Sequence, residues 1–195
     1  MNYLAHIFLS GSDGWLQVGG FTADAIKGKD WQRYPKRMQE GIVRHRAIDH
    51  YTDNHPVFLG LKRELTPSCG RYAGIVLDIY FDYLLATDFS TYTTESLRHF
   101  TLKFYFSALI RYFWLPKRIK GFIFHFVTTD RLMKYKSLEG IKESLDIMVY
   151  YRELPIETKS VIGFLRDNEI HFRTEFHRFF EELLSHVDTI ALNNE

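Results

Sequence analysis

Cysteine is almost missing from this chain: Cys69 is alone among 195 residues. A single thiol excludes an internal disulfide framework and fits a reducing compartment. An excess of either charge is missing too, since 25 lysines and arginines face 24 aspartates and glutamates for a formal net charge of +1. Bulk-charge binding to a polyanion such as nucleic acid is therefore not expected, and any basic patch must be local. No apolar run is long enough to span a bilayer. The most apolar stretch, FTLKFYFSALIRYFW, is short and carries Lys103 and Arg111. The opening MNYLAHIFLSGSDGW has no basic n-region and only a very short apolar run, unlike a signal peptide. A soluble cytoplasmic protein with no nucleic-acid or membrane partner is the expectation. What the chain does have is apolar material, 46% hydrophobic and 16% aromatic, enough for one sizeable core.

Proline is scarce as well, and its places are informative. Pro35, Pro56, Pro67, Pro116 and Pro155 each stand before an apolar-periodic run. Proline suits the first turn of a helix, where its missing N–H would have no intrahelical partner. The pattern predicts helices near 2–9, 13–27, 35–54, 56–64, 68–87, 93–113, 116–129, 137–151 and 156–190. No alternating strand with hairpin chemistry interrupts them. In the last helix, Val161, Leu165, Phe172, Phe176, Phe179, Leu183, Val187 and Ile190 recur at helical spacing as one apolar stripe. The expected fold is all-α: a single-domain bundle of about eight or nine helices over residues 1–195, with the helices at 35–54 and 68–87 packed together.

GIVRHRAIDHYTDNHP, residues 41–56, holds three of the nine histidines together with two aspartates and two arginines. On a helix advancing about 100° per residue, His45 and Asp49 lie about 40° apart on one face, whereas His50 is about 140° away. His55 precedes Pro56, where helical geometry is disfavoured. His45 and Asp49 are thus spaced to meet at one ion; a solvated, charged helix would look the same over this stretch alone. GIVLDIYFDYLLA, residues 74–86, shifts the balance. It is apolar around nearly its whole circumference except for Asp78 and Asp82, one turn apart. Buried carboxylates need arginines, shared protons or a cation. Arg44 or Arg46 would serve as a structural partner; a cation between the two acidic helices is the favoured alternative. His6 in NYLAHIFL and Asp24 in VGGFTADAIKG fit the same set, although His6 also suits a hydrogen-bonded core histidine and Gly19 and Gly20 suit close helix packing. A donor set of imidazole and carboxylate without thiolate favours Mn²⁺, Fe²⁺ or Mg²⁺.

MNYLAH, ADAIKG, GIVRHRAIDHYTDNHP and GIVLDIYFDYLLA together resemble the acyl-carrier-protein phosphodiesterase family, closely in the N-terminal half and more loosely as far as FHRFFEELL. The resemblance implies a helical fold distantly like the HD-type phosphohydrolases and a Mn²⁺-dependent enzyme. The implied reaction is hydrolysis of the phosphodiester linking 4′-phosphopantetheine to a serine of holo acyl carrier protein. In that reading His6, Asp24, His45, Asp49, Asp78 and Asp82 are the metal candidates. His45, Asp49, Asp24 and Arg46 form the catalytic set, and Arg44 and Arg46 neutralise phosphate charge. Carrier proteins of this kind are acidic, so a local basic surface is expected: Arg33, Lys36 and Arg37 are assigned to substrate binding, Lys117, Arg118 and Lys120 are further candidates, and Arg44 and Arg46 stand nearer the phosphate. The remaining histidines, His99, His125, His171, His177 and His186, show no partner pattern. Two alternatives stay open at this level: a phosphohydrolase acting on a nucleotide or other small phosphodiester, and a non-enzymatic helical binding protein. The oligomeric state is open as well.

Overall fold

The computed structural model describes residues 1–192; the side chains of Arg152 and of residues 190–192, including the Ile190 position of the expected stripe, lie outside the described set. Every regular element among the described residues is helical. First come α1 (Tyr3–Leu9), α2 (Gly14–Thr22), α3 (Lys36–Asn54), α4 (Pro56–Cys69) and α5 (Ala73–Thr87). Then follow α6 (Phe89–Tyr92), α7 (Leu97–Ile110), α8 (Lys117–Lys120), α9 (Ile123–Thr128), α10 (Arg131–Lys134), α11 (Leu138–Arg152), α12 (Thr158–Asp167) and α13 (Glu169–Leu192). Among the described residues, no helix is both long and apolar enough to cross a membrane.

Local chemistry explains several boundaries. Asp13 opens α2 as its cap, Oδ1 accepting from the N–H groups of Trp15 at 2.7 Å and Leu16 at 3.2 Å. Ser96 does the same for α7, accepting from His99 N–H. Pro56 takes the first turn of α4, where His55 Nδ1 accepts from Val57 N–H. Pro67 departs from the expected pattern. It lies inside the last turn of α4 instead of leading a new helix, and the chain leaves the helix at Gly70, whose φ of +55° suits a residue without a Cβ. The expected helix over 156–190 is two: Asn168 Nδ2 donates to Phe164 O at 2.8 Å and closes α12 before α13 begins.

α5 runs through the middle of the core, with Leu77, Tyr80, Phe81, Leu84 and Leu85 all shielded from solvent. α13 lays its phenylalanines on it; the Phe81 ring lies 5.0 Å from Phe176 and 5.4 Å from Phe179. Each such ring removes a large apolar area from water, which is the main favourable contribution to folding. α3 and α5 do not form a principal direct pair; α4 and α13 each pack on both and join them. The most extensive pairing is α2 with α3. A Cβ on Gly19 would stand 2.3 Å from Met38 O, and one on Gly41 2.3 Å from Leu16 O. Bare backbone at both positions lets the two helices touch, and this contact positions the site.

Candidate metal centre

α1 carries His6, α3 carries His45 and Asp49, and the short 3₁₀ turn after α2 carries Asp24. With α2 and α3 in backbone contact, His45 Nδ1 donates to Gly20 O at 2.8 Å. That bond fixes the tautomer and directs Nε2 away from Gly20, as backbone carbonyls do for metal-ligating imidazoles. His45 Nε2 lies 3.0 Å from Asp49 Oδ2 and 3.3 Å from Asp24 Oδ1. His6 Nε2 lies 3.0 Å from the other Asp49 oxygen and 3.1 Å from Met1 O. The two imidazoles stack, their centroids 3.6 Å apart and their planes 20° from parallel. Both histidines are buried, whereas the Asp24 side chain is 72% exposed. The cluster therefore runs from two buried rings outward to a carboxylate facing solvent.

The electrostatics of this group are divided. Burial and the neighbouring His45 push His6 down to about 4, so its ring is neutral at pH 7. Burial also opposes charge on His45, but the Asp24 and Asp49 carboxylates outweigh it and raise the ring to about 9. Asp49 is held far below the usual carboxylate range: its burial is overcome by His45 and His6. Asp24 is lowered too, chiefly by His45. An ion entering here would meet a neutral His6 and ionised Asp49 and Asp24, and would displace a proton from His45.

The residues present fit a divalent ion. Ligand atoms of His6, His45 and Asp49 all lie within 4.8 Å of one another. Donors bound about 2.0–2.2 Å from one centre stand roughly 3–4.4 Å apart, so small rotations would bring them into range. Although it lies near two carboxylates, buried His45 Nε2 has no aligned hydrogen bond, and neither has His6 Nδ1. Buried polar atoms are seldom left so.

Other expected residues are placed differently. Asp78 accepts from the Met1 amine at 2.8 Å, and that amine lies 3.5 Å from Asp49, so Asp78 joins the cluster through an intervening positive charge. Burial lowers the amine's affinity for its proton, yet Asp78 and Asp49 hold it at about 10. Asp82 is not brought to the cluster. Its two oxygens accept from Leu4 N–H at 2.8 Å and Ala5 N–H at 3.0 Å, anchoring the first turn of α1 to α5. Arg46 donates to Ile26 O and Gly28 O, tying the loop after Asp24 to α3, while Arg44 reaches Leu9 O at 3.4 Å. Arg37 is engaged by Asp13 and Glu40, Arg33 lies 3.6 Å from Asp30, and Lys36 is exposed. Two participants escaped the sequence reading, the Gly20 carbonyl and the Met1 amine. The glycine pair four residues before Asp24 was the one available signal for the first. His177, read as partnerless, bridges Tyr92 and Asp88 at 2.6 and 2.9 Å in a separate ion-paired cluster that ties α13 to the end of α5.

The chain matches the family described as acyl carrier protein phosphodiesterase over residues 1–183. It is 35% identical over 95 residues to the acyl carrier protein phosphodiesterase of Enterobacter sp. (strain 638), covering 49% of each chain. With that of Photorhabdus laumondii subsp. laumondii it shares 31% over 103 residues, 51% of this chain and 52% of the relative. With that of Serratia proteamaculans (strain 568) it shares 25% over 185 residues, 94% of this chain and 96% of the relative. The matched region spans about half the length of the first two relatives and nearly all of the third. No solved structure matches the chain.

Proposed function

The chain belongs to the acyl carrier protein phosphodiesterase family, and we propose that it hydrolyses the phosphodiester between 4′-phosphopantetheine and the serine of a holo acyl carrier protein, releasing apo carrier protein. The observation that carries a metal-dependent reaction is the convergence of His6, His45 and Asp49, with buried imidazole nitrogens left without aligned hydrogen bonds. These three, with Asp24 at the solvent side, would hold a divalent ion, Mn²⁺ in the first place and Mg²⁺ or Fe²⁺ as substitutes. When bound, such an ion supplies Lewis acidity toward a phosphoryl oxygen and lowers the pKa of a water.

The chain's own groups do the rest. Gly20 O holds the His45 ring in register, and Asp49 spans both imidazoles. Arg46, exposed and anchored beside the Asp24 loop, is placed to meet phosphate charge by exchanging one of its carbonyl contacts for a phosphate oxygen. The reaction is tested by mass spectrometry of holo carrier protein incubated with the protein and Mn²⁺. Loss of the phosphopantetheine mass, abolished by EDTA, is the expected result. An unchanged mass, with Mn²⁺ binding verified by calorimetry, would overturn the assignment.

A further inference from the structure

The stretch from residue 96 to residue 129 contains six lysines and arginines and no aspartate or glutamate. With a whole-chain charge of +1, the remainder carries −5, so the net positive charge lies in about a sixth of the chain. Arg98 and Lys103 pair with Asp130 and Glu95 just outside the stretch, which leaves Arg111, Lys117, Arg118 and Lys120 as its cations without a carboxylate partner among the described residues. The same stretch exposes its apolar side chains. Phe106 is 67% exposed and Ile110 58% on α7, Phe113 is 88% exposed in the 3₁₀ turn that follows, and Phe124 on α9 is 58% exposed. Scattered exposed apolar residues are ordinary, but a contiguous group ringed by charge marks an interaction surface.

The exposure is built in. Lys120 Nζ donates to Phe113 O at 2.9 Å and lies over the Tyr112 ring, bracing the turn from below. Arg111 donates to Ser107 Oγ at 2.8 Å and lies over Trp15, which meets Trp114 edge-on. Beyond the turn, Lys117 and Arg118 stand exposed.

We propose that this face, formed by α7, the 112–114 turn and α8, is the docking surface for the acidic carrier protein; it rests on the reaction assigned above and gives that reaction its partner contact. Charge complementarity favours this occupant. So does shape: Leu102, Phe106 and Ile110 recur four apart along α7, an apolar stripe about 12 Å long of the kind that receives the apolar face of a partner helix. The other basic candidate is weaker, because Arg37 is held by Asp13 and Glu40 and Arg33 faces Asp30. The face is also within reach of the metal centre. Ser107 Oγ donates to Gly14 O at the start of α2, and Asp24 lies just past the far end of that helix, about 15 Å on. An interface of about 800 Å² per partner is roughly 30 Å across, so one docked domain covers both.

Binding is measured in EDTA, so that hydrolysis does not consume the ligand, using fluorescence anisotropy of labelled holo carrier protein. Two variants are compared with the unaltered protein: Phe106→Ala with Phe113→Ala, and Lys117→Glu with Arg118→Glu. Each pair is expected to raise Kd at least tenfold, with the helical circular dichroism and melting temperature preserved because all four side chains are exposed. An unchanged Kd in both variants would overturn the proposal. So would failure of the unaltered protein to bind carrier protein while it sediments with phosphatidylglycerol vesicles, or while it forms a dimer that both variants dissociate; these results would assign the face to a bilayer or to a second copy. The mass assay with Mn²⁺ judges the reaction separately. Carrier-protein binding without hydrolysis would sink the reaction alone, and hydrolysis with unaltered KM in both variants would sink the docking face alone.

Discussion

Asp49 and Asp82 show how position decides what a carboxylate does. Asp49 reaches two imidazoles and stands partly open to solvent, whereas Asp82 is fully enclosed and satisfied by two backbone N–H groups. Asp49→Asn keeps the size and removes the charge that would hold the proposed ion. Mn²⁺ affinity by calorimetry and kcat/KM on holo carrier protein should both fall by at least about 100-fold, since loss of outer-shell partners alone commonly costs 10–100-fold. The helical circular dichroism should remain. Asp82→Ala should do the reverse. It strands two buried N–H groups, at about 1–3 kcal/mol each, so the melting temperature should drop by several degrees. The protein that stays folded should still bind Mn²⁺ within a few-fold of the parent. If Asp82→Ala removed Mn²⁺ binding at unchanged stability, Asp82 would be a ligand and its anchoring role secondary.

Among the elements, the α2–α3 pair matters most, because its contact sets where His45 stands relative to Gly20. Gly41→Ala would drive a methyl group to 2.3 Å from Leu16 O. Backbone cannot rotate aside as a side-chain end can, so the helices must separate, at about 1–3 kcal/mol or more. The expected result is a melting temperature lowered by several degrees, with weakened Mn²⁺ binding because His45 lies one turn beyond Gly41. A Gly41→Ala protein with normal melting and metal affinity would show that the contact is not tight. At the same end of α2, Asp13 gives a pH-dependent prediction. Burial works to raise its pKa, but the Leu16 and Trp15 N–H groups and Arg37 together bring it below 3.8. A depressed carboxylate stabilises the fold above its unfolded value and loses that contribution as pH falls through the folded one. Asp13→Ala should therefore cost about 1 kcal/mol at pH 7, read as a few degrees of melting temperature, and the gap to the parent should close below pH 3.8.

These helices show what a sequence discloses. The helical class, the first turn at Pro56 and the shared face of His45 and Asp49 follow from spacing alone. Pro67 misled because the distortion a proline forces on its helix falls, in the last turn, where the helix is about to end. The break at Asn168 was hidden because the apolar stripe continues across it. Spacing also put Asp78 and Asp82 on one face, yet it could not reveal that the first-turn N–H groups of α1, which have no partner within their own helix, would reach Asp82. The Gly20 carbonyl was invisible for a related reason: backbone groups become partners only once two helices have met.

Across the whole molecule, charge is divided rather than absent, with +6 on residues 96–129 against −5 elsewhere. An acidic substrate approaching such a surface is steered by it, and steering is screened within about 10 Å at 0.1 M salt. For holo carrier protein, kcat/KM should fall steadily between about 0.05 and 0.5 M salt, and Lys117→Glu with Arg118→Glu should flatten that slope. A salt-independent kcat/KM would argue against electrostatic capture. The placement of the cluster along the chain bears on a different matter, the order of synthesis. His6, Asp24, His45 and Asp49 all precede residue 55, and α13, which covers α3, α4 and α5, begins only at Glu169. At translation rates of about 5–20 residues per second, that separation is on the order of ten seconds. During this interval the four side chains have left the ribosome while the helix that closes the core has yet to be made, so an ion of the kind proposed above would have a window to enter before the fold is sealed.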